Sequence, residues 1–293
     1  MKMLLPILGI AAFMAVQVAA QNSASSTTNS NASLESFQVL SHGSALNAFE
    51  YKASGAGTHP TLLLLHGFPG DERNLDIGQA ARRAGWNVVY FDYRGSWGSP
   101  GAFSFTHCIE DTNATVSYLR ESGNAERLHV DPANIVLLGH SVGGLFALEA
   151  AAAEPKIKAV ITVSAVDFNG FLYQFPRDAS HEDLVKGIAQ QFASQGMEPI
   201  SGTTGETLAG EVLDKARSWS FVGVAPKVKT QLQLVVTSND GLAQMSDSLV
   251  SEIRKDPGSR VSTLKLPTDH NYSDQRTALQ EAVLKALASL EKR

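Results

Sequence analysis

One short segment organises the rest of this sequence: from Ile135 to Gly144 it reads IVLLGHSVGG. The four apolar residues at its start are typical of a buried strand, and the segment LFALEA after it is typical of a helix. On such a tight strand-to-helix turn a serine hydroxyl projects above the edge of the sheet, and the glycines at 139 and 143 avoid collisions with the neighbouring strand and helix. This context predicts that Ser141 is a nucleophile. The alternative is a glycine-rich turn that only packs the helix against the strand.

Strand and helix patterns alternate from Thr61 to the end of the chain. Short apolar runs predict strands at 61–65, 87–91, 135–138, 159–163, 232–237 and 261–266, and helical spacing predicts helices at 75–84, 109–121, 242–254 and 274–290. Before them, residues 37–39 and 45–53 predict an antiparallel pair of strands. This order predicts an α/β fold with a mostly parallel sheet and helices on both faces.

One interval, at about 165–229, interrupts the alternation. It contains no convincing strand, and helical spacing at 182–192 and 205–219 includes an apolar stripe of Leu208, Val212, Ala216 and Trp219. An irregular connection of this length in a compact domain is typically a lid or a binding element. We expect this insert to cover the carboxyl ends of the strands, where open α/β sheets bind ligands.

The N-terminus has the pattern of a targeting segment. Lys2 precedes an apolar run from Met3 to Val18, and small residues before Gln21 offer a cleavage site. We predict a signal peptide at 1–20, a disordered linker at 21–36 that is rich in Ser, Thr and Asn, and a folded domain at 37–293 that includes the insert. A retained membrane anchor is the alternative, although the apolar run is short for a spanning helix. The resulting expectation is export to the periplasm or the medium, without stable membrane association after cleavage.

The composition of the chain limits the kinds of molecule that it is expected to bind. The chain of 293 residues has a formal charge of -5 and a pI near 5.9, and no basic run indicates nucleic acid binding. Cys108 is the only cysteine, so an internal disulfide is not possible. The chemistry that Ser141 suggests implies neither a metal nor an organic cofactor. The expected partner is a small acyl substrate or a short peptide.

A serine nucleophile needs a base that takes its proton and a third group that orients the base. His270 follows the last predicted strand in the segment LPTDH, and it is the histidine after Ser141 that lies just beyond a strand end. Asp240, in the turn SNDG after the preceding strand, is the expected orienting acid, and the chain order Ser, Asp, His is typical of this topology. Asp167 and Asp269 are the alternatives for the acid. Otherwise His270 is a surface histidine and Asp240 caps the following helix.

An oxyanion that forms during attack needs backbone N–H donors. One is expected from Val142, which follows the nucleophile at a helix N-terminus. The other is expected from Phe68, in the loop HGFPG after the strand at 61–65. Pro69 has no N–H group, which favours Phe68 as the donor of that loop. The alternative is that HGFPG is only a tight turn.

The motifs described so far resemble those of the α/β-hydrolase superfamily. The resemblance covers the chain from about Ser44 to the C-terminus, except for the insert. It is carried by HG at 66–67, DYRG at 92–95, GHSVG at 139–143, NDG at 239–241 and DH at 269–270. Within the superfamily the chain is similar to the bacterial branch of serine aminopeptidases, dienelactone hydrolases and prolyl oligopeptidase catalytic domains.

The resemblance implies hydrolysis of an ester, thioester or amide by a serine enzyme, and it does not choose among these bonds. A carboxylesterase is the first expectation. An exported peptidase is the second, and it would need acidic groups near the insert to bind a substrate amine, for which Glu182 and Asp183 are candidates. A binding protein without activity is the third, and the complete set of Ser141, Asp240 and His270 speaks against it.

Several further side chains have two interpretations. Arg94 is expected to form a structural salt bridge behind the oxyanion loop, whereas Trp97 could reach the pocket or pack on the turn. Four aromatic residues cluster where the insert begins, and they are expected to form its core more often than to contact substrate: Phe168, Phe171, Tyr173 and Phe175.

Overall fold

The computed structural model describes residues 31–291, without the side chains at 232, 233 and 291. The predicted signal peptide at 1–20 lies outside these residues, as does the linker up to residue 30. Within the described part of the chain, no helix combines the length and the apolar character that crossing a membrane requires.

Eight strands form one sheet in the order β1-β2-β4-β3-β5-β6-β7-β8. The strands are β1 (Ser33–Ser41), β2 (Ser44–Lys52), β3 (His59–Leu65), β4 (Asn87–Phe91), β5 (Val130–His140), β6 (Ala159–Val163), β7 (Gln231–Thr237) and β8 (Ser262–Lys265). β2 pairs antiparallel with both β1 and β4, and every other pair is parallel. The sheet is therefore mostly parallel, as predicted, with one strand that runs against the rest.

Ten helices surround this sheet in the described chain. They are α1 (Leu75–Arg83), α2 (Phe105–Arg120), α3 (Ser122–Arg127), α4 (Val142–Ala153), α5 (Phe168–Leu172), α6 (His181–Ser194), α7 (Gly205–Lys215), α8 (Phe221–Val224), α9 (Ala243–Ile253) and α10 (Arg276–Glu291), and a 3₁₀ turn follows α8 at Ala225–Lys227.

Alternate residues of the central strands point to two separate apolar cores. Leu62 and Leu64 of β3 pack on the face that α1 and α10 cover, whereas Leu63 and Leu65 pack on the face that α2, α4 and the insert cover. A parallel sheet buried on both faces has near-continuous apolar strands, which is why short apolar runs in the sequence predicted them. The sheet thus presents the carboxyl ends of its parallel strands at one edge.

Two boundaries differ from the sequence predictions in an informative way. β1 begins at Ser33, so residues 33–36 of the predicted linker belong to a strand. Its polar residues pair with β2 in a hairpin over the full length of both strands, and this cross-strand pairing outweighs their weak strand propensity. The predicted helix at 205–219 ends at Lys215, although its stripe from Leu208 to Trp219 is buried as expected.

The insert between β6 and β7 contains helices and no strand, as expected. It is joined to the loop after β4 by backbone hydrogen bonds: Trp97 N–H donates to Pro199 O at 2.9 Å, and Ser201 N–H donates to Gly95 O at 2.8 Å. The Glu211 carboxylate of α7 accepts from the N–H groups of Phe105 (2.9 Å) and Thr106 (2.8 Å) at the start of α2. These contacts attach the insert to the body of the domain.

Candidate active site

Ser141 lies on a sharp turn between β5 and α4, with φ 56° and ψ -131°. A backbone in this region is strained for any residue other than glycine, and strain of this kind is common at nucleophile turns. A Cβ atom at Gly139 would overlap the carbonyl of Gly143, and one at Gly143 would overlap the carbonyls of Leu65 and His66. The glycines therefore let β5, α4 and the loop after β3 meet around Ser141.

His270 and Asp240 are paired at the carboxyl ends of β8 and β7. His270 Nδ1 lies 2.5 Å from Asp240 Oδ2, and the other carboxylate oxygen of Asp240 accepts from Leu242 N–H at 2.9 Å. Burial tends to raise the pKa of Asp240, but the hydrogen bonds and charge of its partners, His270 first, outweigh burial and lower it. An ionised carboxylate here fixes the proton of His270 on Nδ1 and leaves Nε2 as the acceptor nitrogen.

The two alternative acids make other contacts. Asp167 caps α5 by accepting from Gly170 N–H, and its second oxygen accepts from Phe221 N–H at 2.7 Å. Asp269 accepts from Ser273 N–H at 2.8 Å and from the Ser273 hydroxyl at 2.7 Å. Asp167 thus ties α5 to α8, and Asp269 shapes its own turn, whereas Asp240 is the carboxylate in contact with His270.

Ser141 and His270 line the same two cavities. No hydrogen bond joins the Ser141 hydroxyl to His270 among the described residues. Hydrogen bonds of this type are often long in the absence of substrate and tighten in the complex. The arrangement places the hydroxyl and the imidazole in one cleft at the carboxyl edge of the sheet, with the Asp240 carboxylate in contact with the imidazole.

The loop after β3 lies directly against Ser141. A Cβ atom at Gly67 would be 2.7 Å from Ser141 Cβ, so only glycine fits there. Phe68 follows and lines both cavities, and Val142 lines one of them at the first position of α4. Neither of the two backbone N–H groups donates to another described residue, so both are available to a developing oxyanion.

Trp97, with Arg73 against its ring, and the buried His66 support the loop after β3. Trp97 Nε1 donates to Pro69 O at 2.9 Å, and the Arg73 guanidinium lies 4.1 Å from the Trp97 ring centroid. Trp97 therefore packs on the loop after β3. His66 is buried, and burial together with nearby Arg73 lowers its pKa to about 4, so this imidazole is neutral at ordinary pH.

Arg94 has the structural role that the sequence favoured. Its Nε donates to Asp111 Oδ1 at 2.7 Å, its backbone N–H donates to Asp111 Oδ2 at 2.8 Å, and its Nη2 donates to Glu110 at 2.5 Å. Asp111 and Arg94 are both buried. The pair anchors α2 to the turn after β4.

His140 contacts the loop of the candidate base. Its Nε2 donates to the backbone carbonyl of His270 at 3.0 Å, and the two imidazole centroids are 4.9 Å apart. Burial, followed by the nearby His270, lowers the pKa of His140 to about 3, so it remains uncharged. A residue that the sequence showed only as the variable position of a motif thus holds the backbone of His270.

A chain of hydroxyl groups runs beneath the candidate acid. The Tyr272 hydroxyl lies 2.8 Å from Ser164 Oγ, and Ser164 Oγ donates to Ser238 Oγ at 3.0 Å. Ser238 in turn hydrogen-bonds to Asp240 and helps to lower its pKa. This series of hydroxyl groups is buried and connects the ends of β6 and β7 to the loop that carries His270. No sequence motif had indicated Tyr272, Ser164 or Ser238.

The two cavities at Ser141 differ in character. One, of about 360 Å³, is lined by five phenylalanines, three glutamines and small or apolar residues, and it lies under the insert. The other, of about 230 Å³, is polar, and its lining includes Asp71, Glu72 and Asn271. A third and larger cavity, of about 750 Å³, lies between the 3₁₀ turn and α9 and contains none of the candidate site residues.

The insert contributes both expected and unexpected residues to the apolar cavity. Phe168 and Phe171 line it, whereas Tyr173 is exposed and Phe175 packs against Phe171. A helix containing Phe192 was predicted from the sequence, but the position of Phe192 in the cavity lining was not. The three glutamines of the lining, which carry no motif, were not predicted either: Gln174, Gln191 and Gln195.

Glu182 and Asp183 line neither cavity at Ser141. Glu182 pairs with Lys186 at 2.6 Å on the exposed side of α6, and Asp183 contacts the cap residue Ser180. Residues 31–291 hold no group of three or more His, Cys, Asp or Glu side chains arranged for a metal ion.

Known proteins resemble this chain in sequence and in fold. A family model described as the alpha/beta hydrolase fold matches residues 60–260. The chain is 31% identical over 120 residues to an uncharacterized protein of Mycobacterium tuberculosis, with 41% of each chain covered. It is 24% identical over 143 residues to a Haemophilus influenzae protein named as a candidate esterase/lipase, which covers 48% of this chain and 43% of the relative.

The matches to these curated relatives span only about two fifths of each relative's length. Among solved structures, the chain is similar to a thermostable carboxylesterase cloned from a metagenomic library, with a TM-score of 0.62, 19% sequence identity and 90% of each chain covered. At this level of identity the similarity shows a shared fold.

Proposed function

Because this chain belongs to the alpha/beta hydrolase fold family, we propose that it is a serine hydrolase of the carboxylesterase type. The observation that carries this proposal is the 2.5 Å contact between His270 Nδ1 and Asp240 Oδ2, in a cleft that Ser141 shares. A serine in a strained turn, a histidine and a half-buried carboxylate that contacts this histidine are the three groups that activate a serine hydroxyl.

Each residue has a distinct role in the proposed reaction. His270 Nε2 takes the proton of Ser141 as the hydroxyl oxygen attacks the substrate carbonyl, and it then gives that proton to the leaving alcohol. Asp240 stays ionised, orients the ring and stabilises the imidazolium. A water molecule, activated by the same histidine, cleaves the acyl-enzyme and restores Ser141.

The oxyanion is held by the N–H groups of Phe68 and Val142 in this proposal. Donors that are already in place need no reorganisation during the reaction, and losing one such donor typically costs about 10²- to 10³-fold in kcat. Trp97 supports the role of Phe68 because its indole N–H holds the Pro69 carbonyl, and so the loop, in position.

An ester is favoured over a peptide as substrate. The acidic residues suggested for a substrate amine, Glu182 and Asp183, face away from the cleft. The printed names of one relative and of one structural neighbour, an esterase/lipase and a carboxylesterase, point the same way. The alternative is a peptidase, and an assay of ester and anilide substrates distinguishes it from an esterase.

The test combines a covalent probe with a substrate panel. A fluorophosphonate probe should label the wild type and fail to label Ser141→Ala. Circular dichroism should show that both proteins are folded. p-Nitrophenyl esters should be hydrolysed much faster than aminoacyl p-nitroanilides. Equal labelling of the Ser141→Ala variant would refute the mechanism, and preferred anilide cleavage would replace the esterase by a peptidase.

Export of the protein is proposed on the sequence pattern of residues 1–20. Expression of the full chain in a bacterial host, fractionation and mass spectrometry of the product check this point. A mature N-terminus at Gln21 in the periplasmic or extracellular fraction is expected, whereas an intact Met1 in the membrane fraction would indicate a retained anchor.

A further inference from the structure

The apolar cavity beside Ser141 has an aromatic lining. Phe105, Phe168, Phe171 and Phe192 are buried around it, and Phe68 is half-buried at its border with the polar cavity. The ring centroids of Phe105 and Phe168 are 4.6 Å apart, those of Phe68 and Phe192 are 5.0 Å apart, and Phe171 stacks nearly parallel on Phe192 at 6.0 Å. This network holds the rings in place, so the cavity is preformed.

Besides Ser141 and His270, the polar groups in the same cavity are amides that carry no charge. The lining contains no Asp, Glu, Lys or Arg side chain, and its polar members besides Ser141 and His270 are Gln174, Gln191 and Gln195. These three glutamines are exposed to solvent. Each side-chain amide can both donate and accept a hydrogen bond. The lining therefore suits a neutral apolar group with hydroxyl or ether substituents and disfavours an ionised one.

The polar cavity is the better place for a leaving alcohol. It reaches from His270 towards Asn271 and the exposed Asp71, so an alcohol protonated by His270 has a polar route to solvent. Val142, the proposed oxyanion donor that follows the nucleophile, lines only the aromatic cavity. The acyl group bonded to the same carbonyl carbon then occupies the aromatic cavity.

We propose, on the basis of the function proposed above, that this enzyme acts on esters whose acyl part carries an uncharged aromatic ring. The ring lies among Phe168, Phe171 and Phe192, where ring pairs add to the burial of apolar area. The cavity volume of about 360 Å³ is within the range of small-molecule sites. Hydroxyl substituents on the ring bind the glutamine amides.

The experiment compares methyl 3-phenylpropanoate with methyl 3-cyclohexylpropanoate. Both esters have the same leaving group and the same number of carbon atoms, so a general change of activity cancels in the ratio of their kcat/KM values. The wild type should prefer the phenyl ester by about two- to tenfold. Phe171→Leu and Phe192→Leu should bring the ratio close to one. Tyr173→Leu is the matched control, because Tyr173 is exposed and outside the cavity, and it should keep the wild-type ratio.

Two further arms test the chemistry of the pocket. Methyl 3-(4-hydroxyphenyl)propanoate should be a good substrate, and Gln191→Leu should lower its kcat/KM more than that of the phenyl ester. A para-carboxylate on the ring should lower kcat/KM at least tenfold. Equal use of the carboxylate ester would contradict the proposal of an uncharged ring.

The outcomes separate this inference from the proposed function. Absence of hydrolysis of any ester and of probe labelling would contradict the proposed function itself. Hydrolysis of p-nitrophenyl acetate with a phenyl-to-cyclohexyl ratio of one or less would overturn only the aromatic acyl site. An aryl preference seen with benzyl acetate over cyclohexylmethyl acetate, and not on the acyl side, would overturn the placement of the acyl group.

Discussion

His140 Nε2 donates a hydrogen bond to the backbone carbonyl of His270 at 3.0 Å. The residue directly before the candidate nucleophile therefore holds the residue that is proposed to be its base. His140 is buried and uncharged, since its pKa is about 3, so this bond persists across the ordinary pH range. The contact is one of several that set the position of the His270 loop relative to Ser141.

His140→Ala should lower kcat by about 10- to 100-fold with little change in KM, because a small displacement of a catalytic group costs rate more than binding. His140→Gln retains a side-chain N–H donor and should recover much of the loss. Steady-state kinetics on p-nitrophenyl acetate measures both. If the alanine and glutamine variants lose the same activity, the hydrogen bond is not what positions His270.

Asp240→Asn should lower kcat by orders of magnitude, about 10⁴ in the best-studied triad of this kind, because the amide no longer holds the productive tautomer of histidine. Asp167→Asn is the matched control, since Asp167 is also a carboxylate at a strand end but contacts Gly170 and Phe221. We expect it to retain most activity and to lose thermal stability. The reverse order of the two effects on kcat would show that the acid follows β6.

Tyr272→Phe removes the hydroxyl group at the end of the hydroxyl chain that is farther from Asp240. Ser238→Ala removes the hydroxyl group that contacts Asp240. Ser238→Ala should raise the pKa of Asp240, and a more basic carboxylate stabilises the imidazolium of His270 more strongly, so the acidic limb of the kcat profile should shift to higher pH. Tyr272→Phe should produce a smaller shift in the same direction. Profiles measured from pH 4 to 9 check this. Profiles that fall in height but keep their shape would assign these hydroxyls to loop packing alone.

Glu50 of β2 makes the stability of the domain depend on pH. Its side chain is fully buried, its oxygens have no hydrogen-bond partner among the described residues, and Lys52 Nζ lies 3.9 Å away. Burial raises its pKa from 4.5 to about 8, in spite of Lys52. Between these two values the folded state binds a proton that the unfolded state has lost, so stability falls as pH rises, by at most about 1.4 kcal/mol per pH unit.

Glu50→Gln should remove this dependence. The variant should gain stability over the wild type as pH rises from 5 to 8, with the largest gain at the upper end. Urea unfolding at pH 5, 6.5 and 8 gives the three differences in free energy. A difference that is the same at all three values would show that Glu50 does not titrate differently in the folded and unfolded states.

The nucleophile turn was predictable because it is local. The Gly-X-Ser-X-Gly spacing between an apolar run and a small-residue helix requires only neighbours in the chain, and the structure places Ser141 on that turn with positive φ. The α/β order of strands and helices was predictable for a similar reason, and the fold of a mostly parallel sheet is confirmed. At β1, the cross-strand pairs with β2 extend the strand to Ser33, so residues 33–36 of the predicted linker belong to β1.

The sequence by itself determined which residue types could carry the chemistry and in which order the sheet presents them. The position of Asp240 after the strand that directly precedes the strand of His270 favoured it over Asp167 and Asp269, because successive parallel strands end at the same edge. The tertiary structure decided what surrounds them. The hydroxyl chain from Tyr272, the hold of His140 on His270 and the aromatic cavity formed with α6 depend on contacts between distant parts of the chain: His140 and His270 are 130 positions apart, and Tyr272 and Ser164 are 108 positions apart. Such contacts follow from how helices and strands pack in three dimensions, and no local pattern of residues specifies that packing.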